Sequence, residues 1–337
     1  MKLIQVGLGA HGRYVGSQFV VPSADFEYAG LVDIDPKCLR EAAELFEVQK
    51  NLLYTDYKQA FQELQADAVL IEAMSPAHYD VCKAALNHNL HVLIEKPFVL
   101  NMDEATELVE LASQKNLKLM INQNYRYNSN VLTLKKVIQD RSLGKPVFVN
   151  SQFYYNHTGK PYQREMEDYM LLEMAVHHID MMRYLFDCNV MSVQGKTWNM
   201  PESGYKGDPN VHAVYEMESG MPVFYLGSLL SKGNQTPWEG IWRIQCEEGS
   251  IHLDNLGKGY GVYLVDSSES ITKIPNLVPD LEDIHGVLRE FADSIRENRE
   301  PQNSGRDNLH TLATLFATGK SSREGKTTFL QSYSIKN

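Results

Sequence analysis

The chain has 337 residues, 43% of them hydrophobic and 22% charged, which describes a globular protein with more than one core and makes two domains the expectation. Its formal net charge of −11, with no dense Lys/Arg run, removes the electrostatic footprint of a nucleic-acid or anionic-membrane binder. Cys38, Cys82, Cys188 and Cys246 stand far apart with no C-x-x-C pair, so they read as reduced thiols of a cytoplasmic protein, and no apolar stretch has the length of a signal-peptide core or a membrane span.

In the first third, short apolar runs at 2–6 (KLIQV), 27–32 (EYAGLV), 67–72 (DAVLIE) and 90–96 (LHVLIEK) alternate with amphipathic stretches near 10–21, 36–46, 76–88 and 103–115. Strand then helix, repeated four times, predicts βαβ units and a parallel sheet with helices on both faces. The last parallel strand is expected in LKLMINQ, which sets a dinucleotide-binding domain over 1–122 and a second domain over 123–337. There the texture changes to longer, alternating strands at 146–155, 211–217, 221–230, 241–253 and 260–265, the pattern of an antiparallel sheet with one face covered. Helices are expected near 128–139, through LLEMAVHHIDMMRYLF, and over 283–298 and 305–321, with a loop at 199–210.

The turn after the first strand reads GLGAHG. Gly7, Gly9 and Gly12 fit G-x-G-x-x-G, and Asp33 answers them at the end of the next strand, as a dinucleotide fingerprint requires. Gly7 would make the tight turn, Gly9 would admit a pyrophosphate, and Gly12 would let helix pack on sheet; Ala10 and His11 lie between them. Asp33 would accept hydrogen bonds from ribose hydroxyls, which favours NAD, while Lys37 and Arg40 leave NADP open. The plainer alternative is a set of packing glycines and a surface aspartate.

HVLIEKPF places Glu95, Lys96 and Pro97 at the carboxyl end of a parallel strand, the edge that faces the ligand crevice. A lysine there can polarise a substrate oxygen beside a nicotinamide, although a Glu-Lys surface pair would read the same way. On the later helix, Glu173 and His177 are four residues apart and His177 and Asp180 three, so a regular helix puts all three on one face and turns His178 away. His177 then suits proton exchange with a reacting hydroxyl, with Glu173 orienting it or binding substrate. Packing is the alternative for His177 and the favoured reading for His178. Adjacent histidines diverge and H-E-x-x-H is absent, so no metal is expected on this helix. FYYNHTGKPYQRE offers Tyr154, Tyr155, Asn156, His157 and Arg164 either as the lining of a sugar site or as loop packing.

GLGAHG, SPAHYDVCKAALNHNLHVLIEKPF, QNYRYN and LLEMAVHHIDMMRYLF together resemble the Gfo/Idh/MocA family (glucose-fructose oxidoreductase, inositol dehydrogenase, rhizopine catabolism). The resemblance implies a Rossmann domain followed by an α/β domain with a large, mostly antiparallel sheet. It also implies NAD(P)-dependent hydride transfer on a sugar, inositol or related polyol, and a homodimer or homotetramer built through the second sheet. It makes Lys96 the catalytic lysine and His177 the histidine of a D-x-x-x-H pattern, in which Glu173 replaces the aspartate. It places Ser75, His78 and Glu95 at the cofactor and Arg126 near the substrate. Two rival functions share these features: an NAD-dependent glycosidase and a non-catalytic NAD-sensing regulator.

Overall fold

In the computed structural model, which describes residues 1–330, the first apolar runs become the centre of a parallel sheet. The chain runs β1 (Lys2–Val6), α1 (Ala10–Val15), β2 (Glu27–Val32), α2 (Pro36–Phe46), β3 (Leu53–Tyr54), α3 (Tyr57–Glu63), β4 (Ala68–Ile71), α4 (His78–Asn87), β5 (His91–Ile94), α5 (Met102–Gln114) and β6 (Leu119–Ile121). The strands stand in the order β3-β2-β1-β4-β5-β6, all parallel. Every residue of β4 is buried, as continuous apolar runs in a sheet covered on both faces should be. The helix starts carry local signals: Asp35, Asp56 and Asn101 each accept a backbone N–H of the first turn of α2, α3 and α5. The stretch expected as one helix at 10–21 is α1 followed by a π-helical turn, Gly16–Val20.

The chain continues through α6 (Ser129–Asp140), β7 (Pro146–Tyr154), α7 (Pro161–Arg164), a π turn at Leu171–Ala175, α8 (Val176–Phe186), β8 (Val190–Trp198), β9 (Asn210–Met217), β10 (Pro222–Ser228), β11 (Ile241–Cys246), β12 (Gly249–Asp254), β13 (Gly261–Asp266) and β14 (Ile271–Lys273). After α9 (Asp283–Arg296) and α10 (Gly305–Glu324), β15 (Thr328–Phe329) completes a nine-stranded sheet, ordered β14-β13-β12-β11-β7-β10-β9-β8-β15. Its neighbours are antiparallel except for the parallel central pair β7 and β10. In β9, Val211, Ala213, Tyr215 and Met217 are buried while His212, Val214 and Glu216 face outward, the alternation of a half-covered sheet. The segment 241–253, expected as one strand, is the hairpin of β11 and β12, because Glu247 and Glu248 turn the chain.

The molecule divides into two units. The first holds residues 1–124 and takes back 281–309, so α9 returns to the parallel-sheet unit, which a single boundary at 122 does not describe. Asp25 fixes that return by accepting from Arg289 and Arg296, both at 2.7 Å. Of the described residues, the second unit holds 125–280 and 310–330, while residues 331–337 of the expected second domain lie outside the described residues. The four cysteines are free thiols, and among the described residues no helix is long and apolar enough to cross a membrane.

His178 ties α8 to its sheet. Its Nε2 lies 2.9 Å from the Trp238 carbonyl and its Nδ1 2.7 Å from the Tyr225 hydroxyl, so the network assigns a neutral ring that donates from Nε2 and accepts at Nδ1. Burial pushes its pKa down to about 4, against the carbonyl that pulls it up. Since the folded pKa lies below the ordinary 6.5, this group's contribution is whole above pH 6.5 and is lost as pH falls towards 4, on the order of 2–3 kcal/mol. Thermal unfolding followed from about pH 7.5 to 4.5 should therefore show a falling midpoint, and His178→Gln should flatten that slope while lowering the midpoint at neutral pH.

Candidate functional site

The glycine turn is shaped by backbone contact. Gly7 has φ +96°, and a Cβ there would lie 2.4 Å from the Ala73 nitrogen, while one on Gly12 would lie 2.2 Å from the Gly7 oxygen. Gly9 is different: nothing stands within 4 Å of its would-be Cβ. The chain itself gives no reason for a glycine at position 9, whereas an approaching pyrophosphate does. No side chain caps α1, unlike α2, α3 and α5, so the exposed turn Gly9-Ala10-His11 presents backbone N–H donors outward. Gln5, which the sequence reading overlooked, is fully buried, donates to the Gly12 carbonyl at 2.8 Å and accepts from the Tyr28 hydroxyl at 2.6 Å, so it anchors the turn from beneath.

Asp33, at the end of β2, accepts the Leu8 N–H at 2.6 Å and the Asp35 N–H at 2.8 Å. The carboxylate is thereby fixed beside the turn with acceptor capacity left for a ribose. Ile34 follows it, apolar yet 85% exposed, a flat surface for a base that alternation alone did not reveal. These features fit a dinucleotide.

At the ends of β4 and β5 the unit collects charge. Glu72 and Glu95 are buried, and the half-exposed His11 ring reaches both, with Nε2 3.6 Å from Glu72 and 3.5 Å from Glu95. Burial and the neighbouring Glu95 push the Glu72 carboxyl well above the usual range. Burial acts in the same direction on Glu95 but is outweighed by His11, Lys96 and Asn122, which hold it low. The Lys96 N–H and the Asn122 amide both donate to Glu95. Lys96 is partly exposed at the start of a cis Lys96–Pro97 bond, and Ser75 is partly exposed at the end of β4. His78, expected at the cofactor, is 1% exposed. Its ring meets the carbonyls of Pro97 and Ala73, both at 2.9 Å, and so clamps the two strand-end loops together instead of lining a surface. Glu72 had no signal in sequence, because a glutamate closing a strand looks like the start of a loop.

The second unit carries His177, 6% exposed, its ring stacked on Tyr125 at 4.6 Å. Glu173 sits within the π turn at Leu171–Ala175, which is wider than an α-helical turn, and His177 follows on the regular helix α8. Glu173 is partly exposed, and together with burial its charge raises the Tyr162 and Tyr169 hydroxyls. Asp180 is buried and serves the interior. Arg126 grips it with two bonds of 2.7 Å and lies over the Tyr184 ring, and the Thr311 hydroxyl donates to the same carboxylate. Arg126 is 4% exposed, so the arginine expected near substrate spends its fork on Asp180. Tyr155 stacks on the part-exposed Trp238 at 4.1 Å. Arg164 is exposed, donates to the Gly159 carbonyl, and shares a concave surface with Asn156, His157, Tyr205 and Lys232.

Two family patterns match the chain: an oxidoreductase family with an NAD-binding Rossmann fold over residues 1–123, and the GFO/IDH/MocA C-terminal domain over 131–252. A D-apiose dehydrogenase of Paraburkholderia graminis is 25% identical, covering 91% of this chain and 84% of that protein. An inositol 2-dehydrogenase of Salmonella typhimurium is 32% identical over 42% of this chain and 41% of its own. In fold, the chain matches an Agrobacterium radiobacter oxidoreductase solved with NAD+, L-tartaric acid and magnesium, with a TM-score of 0.87, 20% identity and 98% of both chains covered.

Because Arg126 neutralises a buried carboxylate, Arg126→Ala should destabilise the protein by about 3–5 kcal/mol, leaving Asp180 uncompensated. Arg126→Met combined with Asp180→Leu should recover most of that loss. Denaturant unfolding of the three proteins checks both, and an unchanged midpoint in Arg126→Ala would return Arg126 to a surface role.

Proposed function

Since the chain belongs to the Gfo/Idh/MocA oxidoreductases and its first domain is an NAD-binding Rossmann fold, we propose that it moves a hydride between nicotinamide and a secondary alcohol or carbonyl of a sugar, inositol or related polyol. The observation that carries the reading is the open glycine turn beside Asp33: backbone donors for an anion, a free approach at Gly9, and a fixed carboxylate for a ribose. Relatives named for D-apiose and inositol support the substrate class.

In this reading bound NAD supplies the hydride acceptor or donor. Asp33 accepts from the ribose hydroxyls, disfavouring a 2′-phosphate, and Ile34 offers its exposed side chain to the base. Ser75, Glu95, Ala10 and His11 belong to the cofactor set, with His78 holding the loops that carry them. Lys96 directs its ammonium at the reacting oxygen, stabilising negative charge as it develops. His177 takes the hydroxyl proton in oxidation and returns it in reduction, with Tyr125 fixing its ring plane. Glu173, Tyr155 and Arg164 contribute substrate contacts, carboxylate and guanidinium for hydroxyls and an aromatic face for the sugar ring.

The chain also acts as a homodimer or homotetramer through the uncovered sheet face. Phe224 is 44% exposed there, its ring edge-on to Phe148, and it pairs across the ladder with exposed Val214. Phe224→Glu should lower the mass read by light scattering, and an unchanged mass would remove this face from the assembly.

Sugars, inositols and sugar acids assayed by absorbance of the reduced nicotinamide should yield one saturating substrate with net NADH formation; turnover of a glycoside with no net NADH points instead to the glycosidase. Lys96→Met and His177→Ala should each lower kcat by roughly 100-fold or more while NAD affinity, read by fluorescence titration, stays within a few-fold. Asp33→Ala should erode the preference for NAD over NADP, and an unaltered ratio would take Asp33 out of the cofactor site.

A further inference from the structure

The structure assigns a divalent-cation site to His11, Glu72 and Glu95, at the carboxyl ends of the first unit's central strands. Their ligand atoms all lie within 4.8 Å of one another. His11 Nε2 stands 3.6 Å from Glu72 and 3.5 Å from Glu95, too far for good hydrogen bonds. Those spacings suit the edges of a coordination shell whose bonds are about 2.0–2.2 Å long. An ion between the three atoms would reach each with small side-chain movement.

Two further observations point to a ligand. Glu72 is 8% exposed, and neither of its carboxylate oxygens has a hydrogen-bond partner among the described residues. A buried carboxylate left unsatisfied next to a second one is costly unless a cation or a proton joins it. Glu95, by contrast, is held in place: the Asn122 amide donates to the oxygen that faces His11, and the Lys96 N–H donates to the other. Outer partners of this kind orient metal-binding carboxylates.

The donor set selects the ion. One imidazole with two carboxylates favours a borderline first-row cation such as Zn2+, Co2+ or Mn2+ over Mg2+ or Ca2+, which prefer all-oxygen shells. The His11 side chain is 50% exposed, so the ion would keep a coordination position open to solvent. Glu72 directly follows β4, and the Gly7 turn packs against its backbone. On the NAD reading, the ion would therefore also offset two carboxylates that otherwise repel a pyrophosphate.

The test needs no nicotinamide, so its failure leaves the cofactor reading intact. The full chain, stripped with chelator, is titrated with Co2+ and followed by its visible spectrum, with Mn2+ binding read in parallel by paramagnetic resonance. One ion per chain is expected, without the near-ultraviolet band of a cobalt thiolate, and His11→Ala and Glu72→Gln should each weaken binding at least tenfold. Circular dichroism confirms that the variants fold; if Glu72→Gln does not, His11→Ala decides alone. Absence of saturable binding, binding indifferent to His11→Ala, or a thiolate band from the cysteines would each overturn the site, the first leaving a shared proton as the partner of Glu72.

Discussion

The first unit depends on a contact between two stretches of backbone: the turn at Gly7 lies against the peptide joining Glu72 to Ala73, with no room for a side chain between. This fixes the end of β1 against the end of β4, where the strand order leaves the centre of the sheet in opposite directions. Such a switch point opens a crevice at the carboxyl ends of the strands. Gln5 below and Asp33 to one side hold the turn with hydrogen bonds, and His78 holds the neighbouring loops behind it. The scaffold is made rigid by groups bonded to the chain itself, of which Asp33 keeps acceptor capacity for a ribose.

Buried polar groups are met differently at two places in the fold. Along α8, His178 and Asp180 have their demands met by Tyr225, Trp238, Arg126 and Thr311, and this half of the helix is bound into its core. At the strand ends of the first unit, the Glu72 oxygens, one oxygen of Asn122 and the whole amide of Gln123 are buried without hydrogen-bond partners among the described residues. Native interiors seldom leave such groups orphaned unless something else binds there.

Much of this was legible in the residues, and what was hidden has identifiable causes. β2 and α2 begin and end where the apolar run, Asp35 and Pro36 say they should. The hairpin of β11 and β12 is hard to see in sequence because glutamates fill both central positions of its turn, and Gly249 comes only after them. β8 carries no clean strand pattern, since Gly195 and Lys196 dilute its alternation. Lys96 and the glycine turn were visible as motifs, yet the bond between Arg126 and Asp180 spans 54 positions and has no local signature. Glu72 was invisible for a similar reason: sequence shows the residue, while only the fold shows that it is buried beside Glu95.

The π turn before α8 separates two helical phases. Downstream, the rotation of the helix is set by the interior bonds of His178 and Asp180 and has no freedom left. Upstream, the wider turn holds one residue more than an α-helical turn would, and it is itself anchored by the buried Leu171, Met174 and Ala175, while Glu173 is partly exposed. A gain or loss of a single residue there would swing Glu173 around the axis by about a quarter-turn or more without moving His177. The π turn thus sets the direction of Glu173 relative to His177, and the buried side chains on both sides of it hold that setting.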